Sequence, residues 1–107
     1  MPTQAKDDPI LQRFRAALTE IYGEQIGRVV LFGSRARGEA QADSDYDVAV
    51  FLRELPDVWK ERRRLADLRV DFLDAAGVFL DAKPYSVTAW WDRTPLMHEI
   101  RRDGLDI

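Results

Sequence analysis

The stretch LFGSRARGEAQADSDYDVAV, residues 31–50, holds the side chains best suited to chemistry. Gly33-Ser34 closes one run of branched apolar residues, and Asp45-Tyr46-Asp47 opens the next. Glycine has no Cβ, so a phosphate can come against its backbone, and amides that open a helix after it would point at that anion. Ser34 adds a hydroxyl donor, and Arg35 and Arg37 are near enough in sequence for their guanidinium groups to meet phosphate oxygens. Asp45 and Asp47, two apart at a strand start, project from the same face at about 6.7 Å. At an effective dielectric near 20 they repel by roughly 2.5 kcal/mol. A divalent cation reverses that term, because magnesium is held by hard carboxylate and phosphate oxygens. The carboxylates then become a template for in-line phosphoryl or nucleotidyl transfer.

The signal lies in the joint spacing and not in its parts. With 13 aspartates in the chain, an Asp-x-Asp arises about once by chance. Gly-Ser and Asp-x-Asp at one fixed separation arise together only roughly 0.002 times per shuffled chain. A site for two metals wants a third carboxylate. Asp81, which follows Val78-Phe79-Leu80, is the candidate, and Asp71 or Asp74 takes its place if residues 70–74 form a strand instead of a helix. Tyr46, between the two aspartates, faces the opposite side and packs. The charged run 60–64 reads as the solvated face of a helix, and His98 as a surface residue without a role. Trp59, Trp90 and Trp91 read as core or interface aromatics, with one of the adjacent pair turned outward.

These residues need elements to position them. Asp8 and Pro9 start a helix whose face is Ile10, Leu11, Phe14, Ala17, Leu18, Ile21 and Tyr22, with Gly23 as its stop. Val29-Val30-Leu31-Phe32 and Val48-Ala49-Val50-Phe51-Leu52 lack polar alternation, which predicts strands covered on both faces. Pro56 and Asp57 open a helix through about Ala76, with Leu65, Leu68, Phe72 and Ala76 inside and Gly77 as stop. A third strand spans roughly 78–88, and Pro84 demotes part of it to an edge or bend. Thr94-Pro95 begins a short last helix with Leu96, Met97 and Ile100 inside, Arg101 and Arg102 in its final turn, and Gly104 after it. Helices alternating with three strands give an α/β class around a small sheet.

At 107 residues the chain has the length of one domain, residues 1–107, with no repeat or linker. Its composition, 46% hydrophobic and 33% charged, excludes a disordered tail. Without cysteine there is no disulfide framework, thiolate metal cluster or cysteine nucleophile. The opening MPTQAKDDP is too polar for a signal peptide and no apolar run is long enough to span a membrane, so a soluble cytoplasmic protein is expected. The net charge of −3 argues against non-specific duplex binding but allows a nucleotide at a local site.

The residues quoted resemble the minimal nucleotidyltransferase branch of the superfamily that includes the DNA polymerase β palm. That branch carries Gly-Ser, ten residues, then Asp-x-Asp, and here Gly33-Ser34 is followed by ten residues, 35–44, and then Asp45-Tyr46-Asp47. The likeness extends through GVFLDAKPYS to the TPLMHEIRRDGLDI ending. One departure is Ala82-Lys83-Pro84 after the third acid, where an apolar run is usual. The resemblance implies a mixed sheet flanked by helices, magnesium (two ions), and ATP as donor. It also implies that Gly33 and Ser34 contact the triphosphate, and that Asp45, Asp47 and Asp81 are metal-binding and catalytic. Members of this branch are often antitoxins paired with HEPN-type ribonuclease toxins, some adenylylating a toxin tyrosine. AMP transfer to a hydroxyl on a protein partner is therefore the expectation, with oligomerisation as another way to complete a site this small. The alternatives are a non-catalytic antitoxin of the same fold and transfer to a small molecule such as an antibiotic.

Overall fold

The computed structural model describes residues 7–41 and 43–107. Residues 1–6, which carry most of the polar start that argues against a signal peptide, lie outside this description, as does Ala42. Helix α1, Pro9–Tyr22, begins where expected: the Asp8 carboxylate accepts the Ile10 amide at 2.8 Å, and Pro9 sits in the first turn. Strand β1 is Ile26–Phe32, helix α2 is the single turn Ser34–Arg37, and strand β2 is Tyr46–Leu52. Helix α3, Val58–Ala76, is capped by Asp57, whose carboxylate accepts the Lys60 amide at 3.1 Å. Strand β3, Leu80–Ser86, runs into a 3-10 turn, Val87–Trp91. Helix α4, Pro95–Asp103, is capped by the Thr94 hydroxyl, and strand β4 is Leu105–Asp106.

The sheet order is β3-β2-β1-β4. β1 runs antiparallel to β2 and β4, whereas β2 and β3 are parallel, so the sheet is mixed. Four strands form where three were expected. The two-residue β4 has no hydrophobic pattern of its own and exists because it pairs with Val30 and Leu31 of β1. Pro84 falls on β3, an edge strand, where a missing N–H is tolerated.

Alternation along the strands separates two cores. Val29, Leu31, Val48, Val50 and Leu52 meet Phe14 and Leu18 of α1 and Leu65 and Phe72 of α3. On the other face, Val30, Ala49 and Phe51 meet Met97 and Ile100 of α4. Both faces are covered as the apolar runs required, but unequally. α4 has only nine residues and leaves one end of its face uncovered. Leu96, expected inside, is instead 36% exposed. Trp59 is not a core residue either, being 67% exposed; Trp90 packs edge-on against Phe51 at 5.6 Å, and Trp91 points outward. Phe14 is fully buried, edge-on to Phe72 at 5.6 Å. Phe14→Ala is expected to cost about 3–5 kcal/mol, read as a lower denaturant midpoint at unchanged slope.

Candidate active site

The uncovered end of the α4 face is where the chemistry-bearing residues meet. β1 ends at Phe32, and Gly33 turns the chain with φ 77° and ψ −157°. Only glycine adopts that conformation without strain. A Cβ on Gly33 would also stand 2.5 Å from the Asp47 Oδ2. The Gly33 carbonyl accepts the amides of Ala36 and Arg37 at 3.1 and 3.2 Å, which closes α2 and sets Ser34 at its start.

Asp47 and Asp81 are register partners on the parallel strands β2 and β3, so their side chains share a face. Burial pushes the Asp47 carboxyl above the usual range, and the negative charges of Asp81, Asp45 and Glu99 push it further, against a smaller pull from Lys83. The strongest of these charges is Asp81, not Asp45. The pair expected on one strand face is thus not the tightest one. β2 starts at Tyr46, leaving Asp45 exposed just before the strand, while the sheet register brings Asp81 alongside Asp47. Asp71 and Asp74 lie exposed on α3, because residues 70–74 are helical.

A cavity of about 420 Å³ is lined by Gly33, Ser34, Arg37, Asp47, Asp81 and Lys83, with Glu99 and Leu96 from α4 on its far side. Arg37 bridges that cavity, pairing with Glu99 at 2.9 Å and with Glu39 at 3.0 Å. Arg35, expected at phosphate, is placed elsewhere. Its Nε and Nη2 donate to the Ser44 carbonyl at 3.0 and 2.8 Å, and its guanidinium lies 3.9 Å from the centre of the Tyr46 ring. Tyr46 in turn donates to the Asp8 Oδ2 at 2.7 Å. Burial and that bond push its hydroxyl up to about 12, so it stays protonated as a strut. Arg35, Tyr46 and Asp8 therefore fasten the loop that delivers Asp45 and Asp47.

Glu99 and Lys83 were not among the expected site residues. For Lys83 a signal existed: Asp81, Lys83 and Tyr85 alternate along β3 and line the same cavity. Glu99 had none, since only the tertiary fold brings α4 across the strand ends.

The donor set is one of hard oxygens. Among the described residues, no three acidic or imidazole side chains stand close enough together to form a ready-made metal cage. Magnesium needs less, typically one or two carboxylates completed by substrate phosphates and water. Asp47 and Asp81, mutually repelling beside the Gly33 cradle, fit that requirement.

The nucleotidyltransferase domain profile matches residues 11–96, which include every residue of this site except Glu99. The chain belongs to the nucleotidyltransferase domain family. This nucleotidyltransferase is 26% identical over 98 residues to a Methanocaldococcus jannaschii relative named as a protein adenylyltransferase, covering 92% of the chain and 95% of the relative. Its fold is shared with a structure described as a minimal nucleotidyltransferase: TM-score 0.56, 28% identity, 91% of this chain and 92% of that one. A toxin-antitoxin structure with AMP-PNP gives a TM-score of 0.58 at 19% identity, covering 89% and 70%. A mutant of the toxin-antitoxin MntA-HpeT gives 0.61 at 19% identity, covering 90% and 70%; likenesses this distant speak to fold alone. No helix among the described residues is long and apolar enough to cross a membrane.

Proposed function

We propose that this nucleotidyltransferase moves AMP from ATP to a hydroxyl on a partner protein, acting in the cytoplasm as the antitoxin of a toxin–antitoxin pair. The observation that carries the reading is the register pairing of Asp47 with Asp81 beside Gly33-Ser34 in one open cavity. The names of the relatives support the acceptor class. The HEPN-type toxin is the acceptor that the sequence resemblance favours, and the whole chain serves as one catalytic domain.

In this reading each residue has a role that its position supports. Gly33 lets the triphosphate reach the backbone, and Ser34 donates its hydroxyl to a phosphate oxygen. Arg37 faces the same cavity and offers its guanidinium to the leaving pyrophosphate. Asp47 and Asp81 would hold magnesium, with Asp45 adding negative charge from just before β2, and the ion would neutralise the phosphate charge that builds up during transfer. Asp81, on the edge strand, orients the incoming hydroxyl. The acceptor oxygen bonds to the α-phosphorus, the bond to the bridging oxygen breaks with its electron pair leaving on pyrophosphate, and the hydroxyl proton passes through the carboxylates to water.

Incubation with magnesium, the product of the neighbouring gene and ATP labelled at either the α or the γ position tests this. Label should enter the acceptor from the α position only, and chelation of the metal should abolish it. Transfer of the γ label, or α-label transfer that persists under chelation, would overturn the reading.

A further inference from the structure

Beyond the cavity, across Asp81, lies a second groove of about 170 Å³ between α3 and the open edge of β3. Its rim carries Arg62 and Arg69 of α3 and Lys83 of β3, against the single carboxylate of Asp81. Its floor is apolar: Leu65, Ala66 and Ala82. Among the described residues neither Arg62 nor Arg69 forms an ion pair; Arg62 rests 5.0 Å from the Trp59 ring centre. Arg62 also reaches far enough to act on the Tyr85 hydroxyl, which lines the catalytic cavity. Groove and cavity both border Asp81 and Lys83, so they adjoin each other at the β3 edge of the sheet.

From this arrangement we infer that the groove is the acceptor subsite, and that it takes an extended protein segment with acidic residues flanking the hydroxyl to be modified. The inference rests on the transfer reading above. Three cations against one acid in a protein of net charge −3 make a local attraction for negative charge. The unpaired edge of β3 offers backbone groups to an added strand. Arg62 and Arg69 are two helical turns apart, about 10 Å, which three to four residues of extended chain span. A segment seated this way puts a side chain over Asp81 while its acidic neighbours meet the two arginines. The apolar floor and the short length suit a peptide better than a nucleic-acid backbone.

Fluorescein-labelled poly(Glu,Tyr) copolymer should bind the full chain at low salt without ATP, whereas poly(Lys,Tyr) should not. With magnesium and α-labelled ATP, the acidic copolymer should be the one labelled. Arg62→Glu with Arg69→Glu should weaken copolymer binding and lower kcat/KM for it at least tenfold, while ATP affinity stays unchanged; Arg62→Gln with Arg69→Gln should fall between. Equal binding of both copolymers, tighter binding of oligouridylate than of the acidic copolymer, or indifference to the arginine variants overturns the inference. Copolymer binding that depends on both arginines but gives no label transfer leaves the groove standing and counts instead against adenylyl transfer.

Discussion

Asp47→Asn is expected to lower transfer by at least about a thousandfold and, at neutral pH, to make the protein more stable. The two effects have one cause. Asp47 is half-buried beside Asp81, with Asp45 and Glu99 adding negative charge, and its carboxyl is held above the usual range, first by burial and then by Asp81. Carboxylates on adjacent strands, about 5 Å apart, repel by about 3 kcal/mol at a dielectric of 20. Partial exposure leaves about 1 kcal/mol of that, worth a few degrees in Tm for a domain of this size. The sign follows from linkage. A carboxyl raised in the folded state contributes stability only when protonated, and that contribution is lost as pH rises through the raised value. At pH 7 the native protein therefore carries the cost of the charge, and asparagine removes it. As pH falls toward about 3 aspartate becomes protonated in both states, and the advantage of the variant should fade. Loss of one cation ligand from a transfer centre removes several kcal/mol of transition-state stabilisation, and about 4 kcal/mol is a thousandfold in rate. Melting curves between pH 3.5 and pH 8, with α-label transfer measured alongside, check both. A variant less stable than the parent at pH 7 would show that Asp47 is a structural residue and not a strained ligand.

The elements were legible in the sequence where a local cause fixes them. Asp8-Pro9, Asp57 and Thr94-Pro95 cap their helices as their types dictate. The unbroken apolar runs foretold a sheet covered on both sides. Where the cause is another part of the chain, the sequence is silent. Ile26-Gly27-Arg28 interrupts the apolar pattern, so the start of β1 is hidden, and its register with β2 is irregular there. Leu105-Asp106 becomes a strand only because β1 has a free edge. The same division runs through the site. Gly33, Ser34, Asp45 and Asp47 are marked by spacing within one segment. That Asp81 stands beside Asp47 follows from parallel register, that Glu99 closes the cavity follows from the docking of α4, and that Arg35 serves the loop follows from the position of Tyr46. The first two join distant segments, and the third, though inside residues 31–50, depends on how the loop folds back and not on spacing.

Gly33→Ala is the sharpest test of how the backbone sets this chemistry. Its φ of 77° disfavours any L side chain, and the added Cβ would lie 2.5 Å from the Asp47 Oδ2 and 3.4 Å from its Cγ. Strained backbone of this kind costs about 1–3 kcal/mol, which predicts a Tm lowered by roughly 10 °C. Relief by moving Asp47 about 1 Å is the easier escape, and displacement of that size costs about 100-fold in rate. The two contributions can be separated. The φ penalty belongs to position 33 alone, whereas the contact needs the Asp47 carboxylate. In an Asp47→Ala background, Gly33→Ala should therefore cost less, by about 1 kcal/mol or more, measured as the coupling energy of a double-mutant cycle from denaturant unfolding. Equal costs in the two backgrounds would mean that glycine is needed at position 33 for its conformation only. Coupling would mean that the glycine turn and the acidic pair are one fitted object, in which the missing methyl group leaves the Asp47 carboxylate its place, as the proposed nucleotide site requires.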